Sequence, residues 1–468
     1  MPVHFSEDQV VEATGARRVQ GSAQGPFQVV CTDTRQLTPG CLFVALMGER
    51  YDAHDFLKDA PAKGAAGAVV QKGIALPQLP ADFVVFEVED TLTALGGLAR
   101  HHRRRFKQPV GAVGGSNGKT TTKEMVGAIL ATRGNALKTE GNFNNEIGVP
   151  LTLFRLGEEH VAAVVELGMN HPGEMTRLAR ICEPDAALLT VIQPEHLEGL
   201  GSLQGVADAE GELFAALPPQ ATAVVNLDDP LLPAQAQRSA AKHLTFGKEP
   251  TAAVRLLSVV PRGKAGQTVT IGVDGRELEF QLNFVGEHNA LNATGAFALC
   301  LALGYSPDEC ARGLEQARPY ARRLNLIDAP HGVLVVDDCY NANPASMGAA
   351  LDTLQSLVTG GGRRLAVLGD MLELGPGEYE EHEKLGQLAT SKVDVLALFG
   401  PRSQLGHQAA VSLMGERTRH FVEVPALLEW LTPQLRSGDV VLVKGSRGMR
   451  LERVVQALTG TQAPGGAH

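Results

Sequence analysis

A short apolar run over residues 110–113 leads into Gly114, Gly115, Ser116, Asn117, Gly118, Lys119, Thr120 and Thr121, and then into a helix-forming segment that reaches about residue 132. A buried strand that ends in a glycine-rich turn and re-enters a helix needs neighbouring strands to pair with and helices to cover it. This places the chain in the α/β class. The turn also carries chemistry. Glycines let backbone N–H groups come close to a phosphate, and a helix start adds positive potential. Lys119 is placed to reach terminal phosphates, and the Thr120 hydroxyl to hold Mg²⁺. The full P-loop spacing asks for glycine at position 113, where Val113 stands, so the loop is a shortened one. ATP with Mg²⁺ is the expected cofactor pair.

The same alternation of strand, loop and helix recurs downstream. Strands are predicted over 161–165, 186–192 and 221–225, ending respectively in Glu166, in the run Gln193-Pro-Glu-His196, and in Asn226-Leu-Asp-Asp229. Such a pattern predicts a doubly wound, mostly parallel sheet, whose ligands bind beyond the carboxyl ends of the strands. Lys119, Thr120, Glu166 and His196 all fall at such ends. Thr120 and Glu166 are oxygen ligands suited to Mg²⁺. A lone histidine after a strand is usually structural, but beside Thr120 and Glu166 it reads as a third ligand. Residues 251–285 alternate in the manner of β-hairpins, with a turn at Asp274-Gly275, and a long apolar helix follows to about residue 303. After Tyr320 the alternation restarts, with strands over 332–336, 364–368, 393–399 and 440–443. The chain therefore divides into a small N-terminal α/β unit (1–88), a central unit with added hairpins (89–320) and a second doubly wound unit (321–468), with a frayed tail from about residue 460.

In the first unit Ser6 is placed to cap a helix, and strands are predicted over 27–32, 42–45, 67–70 and 83–88. Two polar clusters, Thr32-Asp33-Thr34-Arg35 and residues 48–56, are either loop polarity or a binding surface. The helix predicted over 90–106 ends in Arg100-His-His-Arg-Arg-Arg-Phe-Lys107, read as a solvated face.

Composition excludes several function classes. A net charge of −10 over 468 residues argues against a nucleic-acid backbone as partner. Six cysteines show no CxxC or zinc spacing, which predicts reduced thiols. The first residues lack a charged n-region and an apolar core, and no stretch approaches membrane-spanning length. A cytoplasmic monomer without membrane insertion is expected.

At this point the sequence resembles the ATP-dependent Mur ligases of cell-wall synthesis. The likeness runs over nearly the whole chain. It rests on Thr32–Arg35, residues 42–46, Gly115–Thr121, Thr139-Glu-Gly-Asn142-Phe-Asn144-Asn145-Glu-Ile-Gly-Val-Pro150, Glu166-Leu-Gly-Met, His196-Leu-Glu-Gly-Leu-Gly-Ser, His288-Asn289-Ala-Leu-Asn292, Asp338-Cys-Tyr340-Asn341-Ala-Asn343-Pro344, Gly369-Asp-Met-Leu-Glu-Leu-Gly375 and Lys444-Gly-Ser-Arg447. The asparagine-rich segments and 369–375 point to members that add a dipeptide. The resemblance implies a UDP-sugar-binding first domain, a central P-loop ATPase domain and a mobile, Rossmann-like C-terminal domain. The implied reaction joins D-alanyl-D-alanine to UDP-N-acetylmuramoyl-tripeptide through an acyl phosphate. It further implies Asn289 and Asn292 near adenine, Asp338 at the ribose, and Arg323 on the phosphates. Asn142, Asn144, Asn145, Tyr340, Asn341 and Asn343 would line the substrate site, and Asp33, Thr34 and Arg35 would face the UDP-sugar.

The sequence departs from the family pattern at four places. Gly114 stands for a usual threonine, Ala53 and Arg322 for usual glycines, and Glu210 for a lysine that the family carbamylates to hold a second Mg²⁺. Glu210 is either a built-in replacement for that carbamate or a solvated helix residue. A sister ligase should carry an Asp-Asn-Pro-Arg motif, which is absent, and a folylpolyglutamate synthase should lack the cluster 340–344. A P-loop module that only binds nucleotide would leave Glu166, His196 and Arg323 unexplained.

Overall fold

Three runs of alternating strand and helix build three separate sheets in the computed structural model, which describes residues 4–23, 25–48, 51–358 and 360–461. Most of the expected tail (462–468), together with Glu49 and Arg50 of the second polar cluster, lies outside the described residues.

The central sheet has nine strands, in the order Arg276–Leu282, Gln267–Val273, Val254–Pro261, Lys242–Gly247, Thr222–Asn226, Ala186–Leu189, Val110–Gly114, Ala162–Glu166 and Ala136–Lys138. Its six strands from Lys242–Gly247 to Ala136–Lys138 pair in parallel, and the four inner ones are buried on both faces, as their small and β-branched residues suggest. The hairpin region adds three strands at one edge. Val110–Gly114 lies between Ala162–Glu166 and Ala186–Leu189, with Val113 paired to Glu166 and Gly114 to Leu189. This register decides the site, because it sets the phosphate loop, Glu166 and the segment after Leu189 side by side at one edge.

The N-terminal sheet has five strands, with Arg17–Gln20 antiparallel at one edge. The C-terminal sheet has six, with Asn325–Ala329 antiparallel at its edge and the others parallel. The strands Ala136–Lys138, Lys242–Gly247, Asn325–Ala329 and Thr418–Phe421 carry too little apolar alternation to stand out in the sequence. Strand 186–192 ends early, at Leu189; beyond it Thr190 N–H still donates to Gly114 O (3.1 Å) while its hydroxyl donates to Asn117 O (2.5 Å).

The basic helix end is only in part a solvated face: Arg104, Arg105 and Lys107 are exposed, but His102 and Arg103 are buried. The helix runs Thr91–Arg103, capped by Asp90. Arg103 is buried and donates to Asp185 Oδ2 (3.0 Å) and Phe106 O (2.9 Å), while Arg100 and Arg104 both bind Glu183. Charge here ties the helix to the turn that enters the strand Ala186–Leu189. His102 is buried between Phe106 and Phe154, with Nε2–H donating to Leu156 O at 2.9 Å and Nδ1 without a hydrogen-bond partner.

Burial holds the His102 pKa down to about 4. Between the unfolded value near 6.5 and this value, the unfolded chain binds a proton that the folded chain refuses. Stability from this group is therefore intact above the unfolded pKa and lost as pH falls through the window, by up to about 3 kcal/mol. Urea unfolding of wild type should weaken from pH 7 to pH 4.5, and His102→Gln, which keeps a donor for Leu156, should flatten that slope. An unchanged slope in the variant would exclude His102 as its source.

Candidate active site

The phosphate loop is shaped by its glycines and pinned by the strand beside it. Gly115 has φ 108° and Gly118 has φ 86°, both in the region that favours glycine. A Cβ on Gly115 would stand 2.3 Å from Thr190 Oγ1, and one on Gly118 would stand 2.5 Å from Asn292 Oδ1. Ser116 N–H donates to Val191 O at 2.8 Å, and its hydroxyl exchanges hydrogen bonds with the backbone of Gln193. Gly118 then opens the helix Lys119–Leu130, whose first N–H groups face a cleft of about 990 Å³ between the central and C-terminal sheets.

The electrostatics of this cleft centre on Lys119. Its Nζ donates to Gly115 O (2.5 Å) and Ser116 O (3.3 Å) and lies 3.6 Å from Glu195 Oε1. Burial alone would lower its pKa, but the carboxylates of Glu195, Glu210 and Glu166 outweigh that and hold it above the ordinary value. Burial pushes Glu195 up to about 8 against the pull of Lys119, with Glu210 adding repulsion. Glu166 is 2% exposed. Its Oε1 accepts from Thr120 Oγ1 (3.3 Å) and Asn144 Nδ2 (3.0 Å), and its backbone N–H is held by Thr139 Oγ1. Oε2 of Glu166, Oε1 of Glu195 and Oε1 of Glu210 are buried without a hydrogen-bond partner. Unsatisfied carboxylate oxygens beside a phosphate loop fit a hard cation. Among the described residues no three His, Cys, Asp or Glu side chains gather as a closed metal cage.

His196 sits in the left-handed region (φ 48°), with Nδ1 3.1 Å from Glu373 Oε2 and Nε2 4.0 Å from Glu195 Oε2. Glu373, from the C-terminal unit, is also left-handed at φ 65°. Other groups cross the same gap. Arg323 Nη2 lies 3.5 Å from Thr120 Oγ1, and its guanidinium stacks 4.2 Å from the Tyr340 ring centre. Asn117 and Asn343 exchange amide hydrogen bonds at 3.2 and 3.1 Å, and Asn343 also caps the helix Pro344–Leu357. Asp338 accepts from Lys444 Nζ (2.7 Å) and Leu324 N (3.1 Å). Arg322 adopts φ 65°, the backbone shape for which a glycine is usual there.

Residues 113–300 match the family described as the Mur ligase middle domain, and residues 322–447 that described as the Mur ligase, glutamate ligase domain. UDP-N-acetylmuramoyl-tripeptide–D-alanyl-D-alanine ligase of Bacillus subtilis (strain 168) is 37% identical over 451 residues, covering 95% of this chain and 97% of its own. The chain belongs to the Mur ligase family. Among solved structures, MurF from Acinetobacter baumannii superposes with a TM-score of 0.89 at 32% identity, covering 98% of this chain and all of that one. MurF ligase from Thermotoga maritima, in complex with ADP, superposes with a TM-score of 0.82 at 28% identity, covering 92% of this chain and 97% of that one.

In this Mur ligase the cleft is lined by Ser116, Asn117, Gly118, Lys119, Thr120, Glu166, His196 and Arg323, by Asn142, Asn144 and Asn145, and by Tyr340, Asn341 and Asn343. Asn145 spends its side-chain oxygen on Ile147 N–H and Gly148 N–H, at the start of the helix Gly148–Leu153. Asn289 donates to Val285 O and accepts from Asn292, whose own oxygen abuts Gly118, so this pair backs the loop. Asp33, Thr34 and Arg35 stay on the N-terminal unit, where Arg35 grips Asp33 at 2.7 Å and does not line the cleft.

Glu210 is not a solvated helix residue. It is fully buried beneath the loop, and its Oε2 accepts Gly115 N–H at 2.8 Å. A Cβ on Gly114 would lie 3.0 Å from that same oxygen, so two of the departures from the family pattern, Gly114 and Glu210, share one space. Sequence reasoning missed Glu195, Glu373 and Lys444. Glu195 had a usable signal, as a carboxylate one residue before His196. Glu373 acts across the domain gap, and Lys444 pairs with Asp338 within the C-terminal unit but far away along the chain, so no local pattern reports either.

Proposed function

We propose that this Mur ligase joins D-alanyl-D-alanine to UDP-N-acetylmuramoyl-tripeptide, with cleavage of ATP to ADP and phosphate, and so completes the UDP-linked pentapeptide for peptidoglycan. The observation that carries this is likeness to dipeptide-adding ligases over almost the full chain, together with a cleft that holds a phosphate loop, an orphaned buried carboxylate and a second-domain arginine at once.

The peptide carboxylate is a poor electrophile and must first become an acyl phosphate. The loop N–H groups of residues 117–121 cradle the ATP phosphates, while those of Gly115 and Ser116 are spent on Glu210 and Val191, and Lys119 and Arg323 face the group in transfer. Lys119 leaves its loop carbonyls to do so. Thr120, Glu166 and His196 would hold Mg²⁺, which when bound neutralises charge on the phosphoryl oxygens. Glu210 supplies negative charge from behind the loop. Asn289 and Asn292 stand on the adenine side and Asp338 at the ribose. Asn142, Asn144 and Asn145 position the peptide carboxyl, and Tyr340, Asn341 and Asn343 border the acceptor. Asp33, Thr34 and Arg35 hold the UDP-sugar on the N-terminal unit. The three sheets support divisions after residues 88 and 320. The cleft is complete within one chain, which supports a monomer. Among the described residues no helix is long and apolar enough to cross a membrane, and the six cysteines are free and buried. Both features support a cytoplasmic enzyme.

The test is phosphate release from ATP with UDP-N-acetylmuramoyl-tripeptide and each candidate acceptor. Turnover is expected with D-alanyl-D-alanine. Turnover only with a single amino acid would assign a sister reaction, and none with any acceptor would leave a nucleotide-binding module.

A further inference from the structure

Arg447 is a cation of the cleft to which the reaction proposed above gives no role and which, among the described residues, has no ion-pair partner. Its backbone is fixed, since Ser446 is buried, donates its N–H to Asp370 O (3.0 Å) and accepts Leu372 N–H on its hydroxyl (2.9 Å). The other cations are engaged. Lys119 bonds the loop carbonyls, Lys444 pairs with Asp338, Arg322 lies 3.8 Å from Glu452, and Arg323 reaches Thr120. The Arg447 guanidinium has no ion-pair or hydrogen-bond partner among the described residues, and its recorded contact is the Tyr340 ring, 5.8 Å from the ring centre. Arg323 stacks on that same ring at 4.2 Å. Arg447 thus stands one aromatic ring away from the arginine that meets the phosphate loop, on the C-terminal wall of the cleft.

An exposed guanidinium lining a binding cleft is a fork for a planar anion. Besides the UDP diphosphate, held on the N-terminal unit, the reaction proposed above brings three anionic groups to the reacting end of the cleft, and this inference rests on that reading. The ATP phosphates have the loop, Lys119 and Arg323. The peptide carboxyl being activated has the asparagines beside Glu166. The third is the free carboxylate of the acceptor. A dipeptide spans at most about 7 Å from amine to carboxylate. An acceptor whose amine attacks near Arg323 therefore places its carboxylate about one side chain farther along the wall. We propose that Arg447 binds the C-terminal carboxylate of the acceptor dipeptide and so selects an acceptor that ends in a free acid.

The test compares D-alanyl-D-alanine with its C-terminal amide as acceptors, at saturating ATP and UDP-N-acetylmuramoyl-tripeptide, for wild type, Arg447→Ala and Arg447→Lys. Wild type is expected to prefer the acid by on the order of 10- to 100-fold in kcat/KM, the range of a charge-assisted hydrogen bond. Arg447→Ala should erase that preference by raising the KM for the acid while leaving the KM for ATP and for the amide near wild type. Arg447→Lys should keep part of it. Arg447 is exposed, so the variants should fold. An acid-to-amide ratio unchanged in Arg447→Ala, or a rise in the KM for ATP instead, overturns the role of Arg447 alone. No turnover of wild type with D-alanyl-D-alanine overturns the assigned reaction, and this role with it.

Discussion

Replacing Lys119 by alanine should lower turnover by on the order of 10²-fold or more, because it removes a preorganised positive charge from the group in transfer. The fold should survive. The Lys119 ammonium bonds only loop carbonyls and faces Glu195, so no core contact depends on it. The loop should feel the loss, because Glu195 and Glu210 are buried close to that ammonium and raise its pKa together. Without it both carboxyls lose the pull that favours their charged forms and hold their protons more strongly, and nucleotide affinity should fall along with the rate because a cation facing the phosphates is gone. Phosphate release at saturating substrates, with calorimetric binding of ADP and a thermal unfolding midpoint, separates the three effects. A variant that turns over within about threefold of wild type would remove Lys119 from the mechanism, since a lost oxyanion-type donor costs far more.

The sheets were readable because their central strands are buried on both faces and made of valine, alanine and leucine, with helices between. The edge of the sheet that carries the chemistry was readable for the same reason. Once residues 110–113, 161–165 and 186–192 are strands, Lys119, Glu166 and His196 must stand at their carboxyl ends. The hidden parts depend on distance rather than sequence neighbourhood. Arg103 looks like one more solvated charge until Asp185 and Phe106 close around it. Asn145 lines the cleft as expected, but its side-chain oxygen is taken by Ile147 N–H and Gly148 N–H. Glu373 meets His196 only because two loops, each with a left-handed residue, face each other across the domain gap. Arg322 stands at φ 65°, a backbone shape that favours glycine, with its guanidinium 3.8 Å from Glu452. In each case the controlling fact is which element lies opposite, and periodicity does not encode that.

Glu210 is where sequence and structure together say more than either alone. As a charge it contributes to the field on Lys119, and as an acceptor it is the bond for Gly115 N–H. Two substitutions separate these. Glu210→Gln keeps an oxygen for Gly115 but removes the charge. It should unfold within about 1 kcal/mol of wild type, while turnover falls by about tenfold or more, since a charge-assisted interaction of 1.5–3 kcal/mol is lost. Glu210→Ala should lose turnover and also destabilise the protein by about 1–3 kcal/mol, because Gly115 N–H is left buried and unpaired. If the charge matters and is built in, stripping CO₂ and bicarbonate from the assay should leave wild-type turnover unchanged, because no lysine carbamate has to form. A clear loss of turnover without CO₂ would show that a carbamate elsewhere in the chain is required. Normal turnover of Glu210→Gln would reduce Glu210 to a brace for the loop. That outcome has its own physical sense, because Gly114 leaves open the space that the carboxylate fills. The two positions would then be a packing solution to one problem, how to hold a phosphate loop from below, and the charge would be incidental to it.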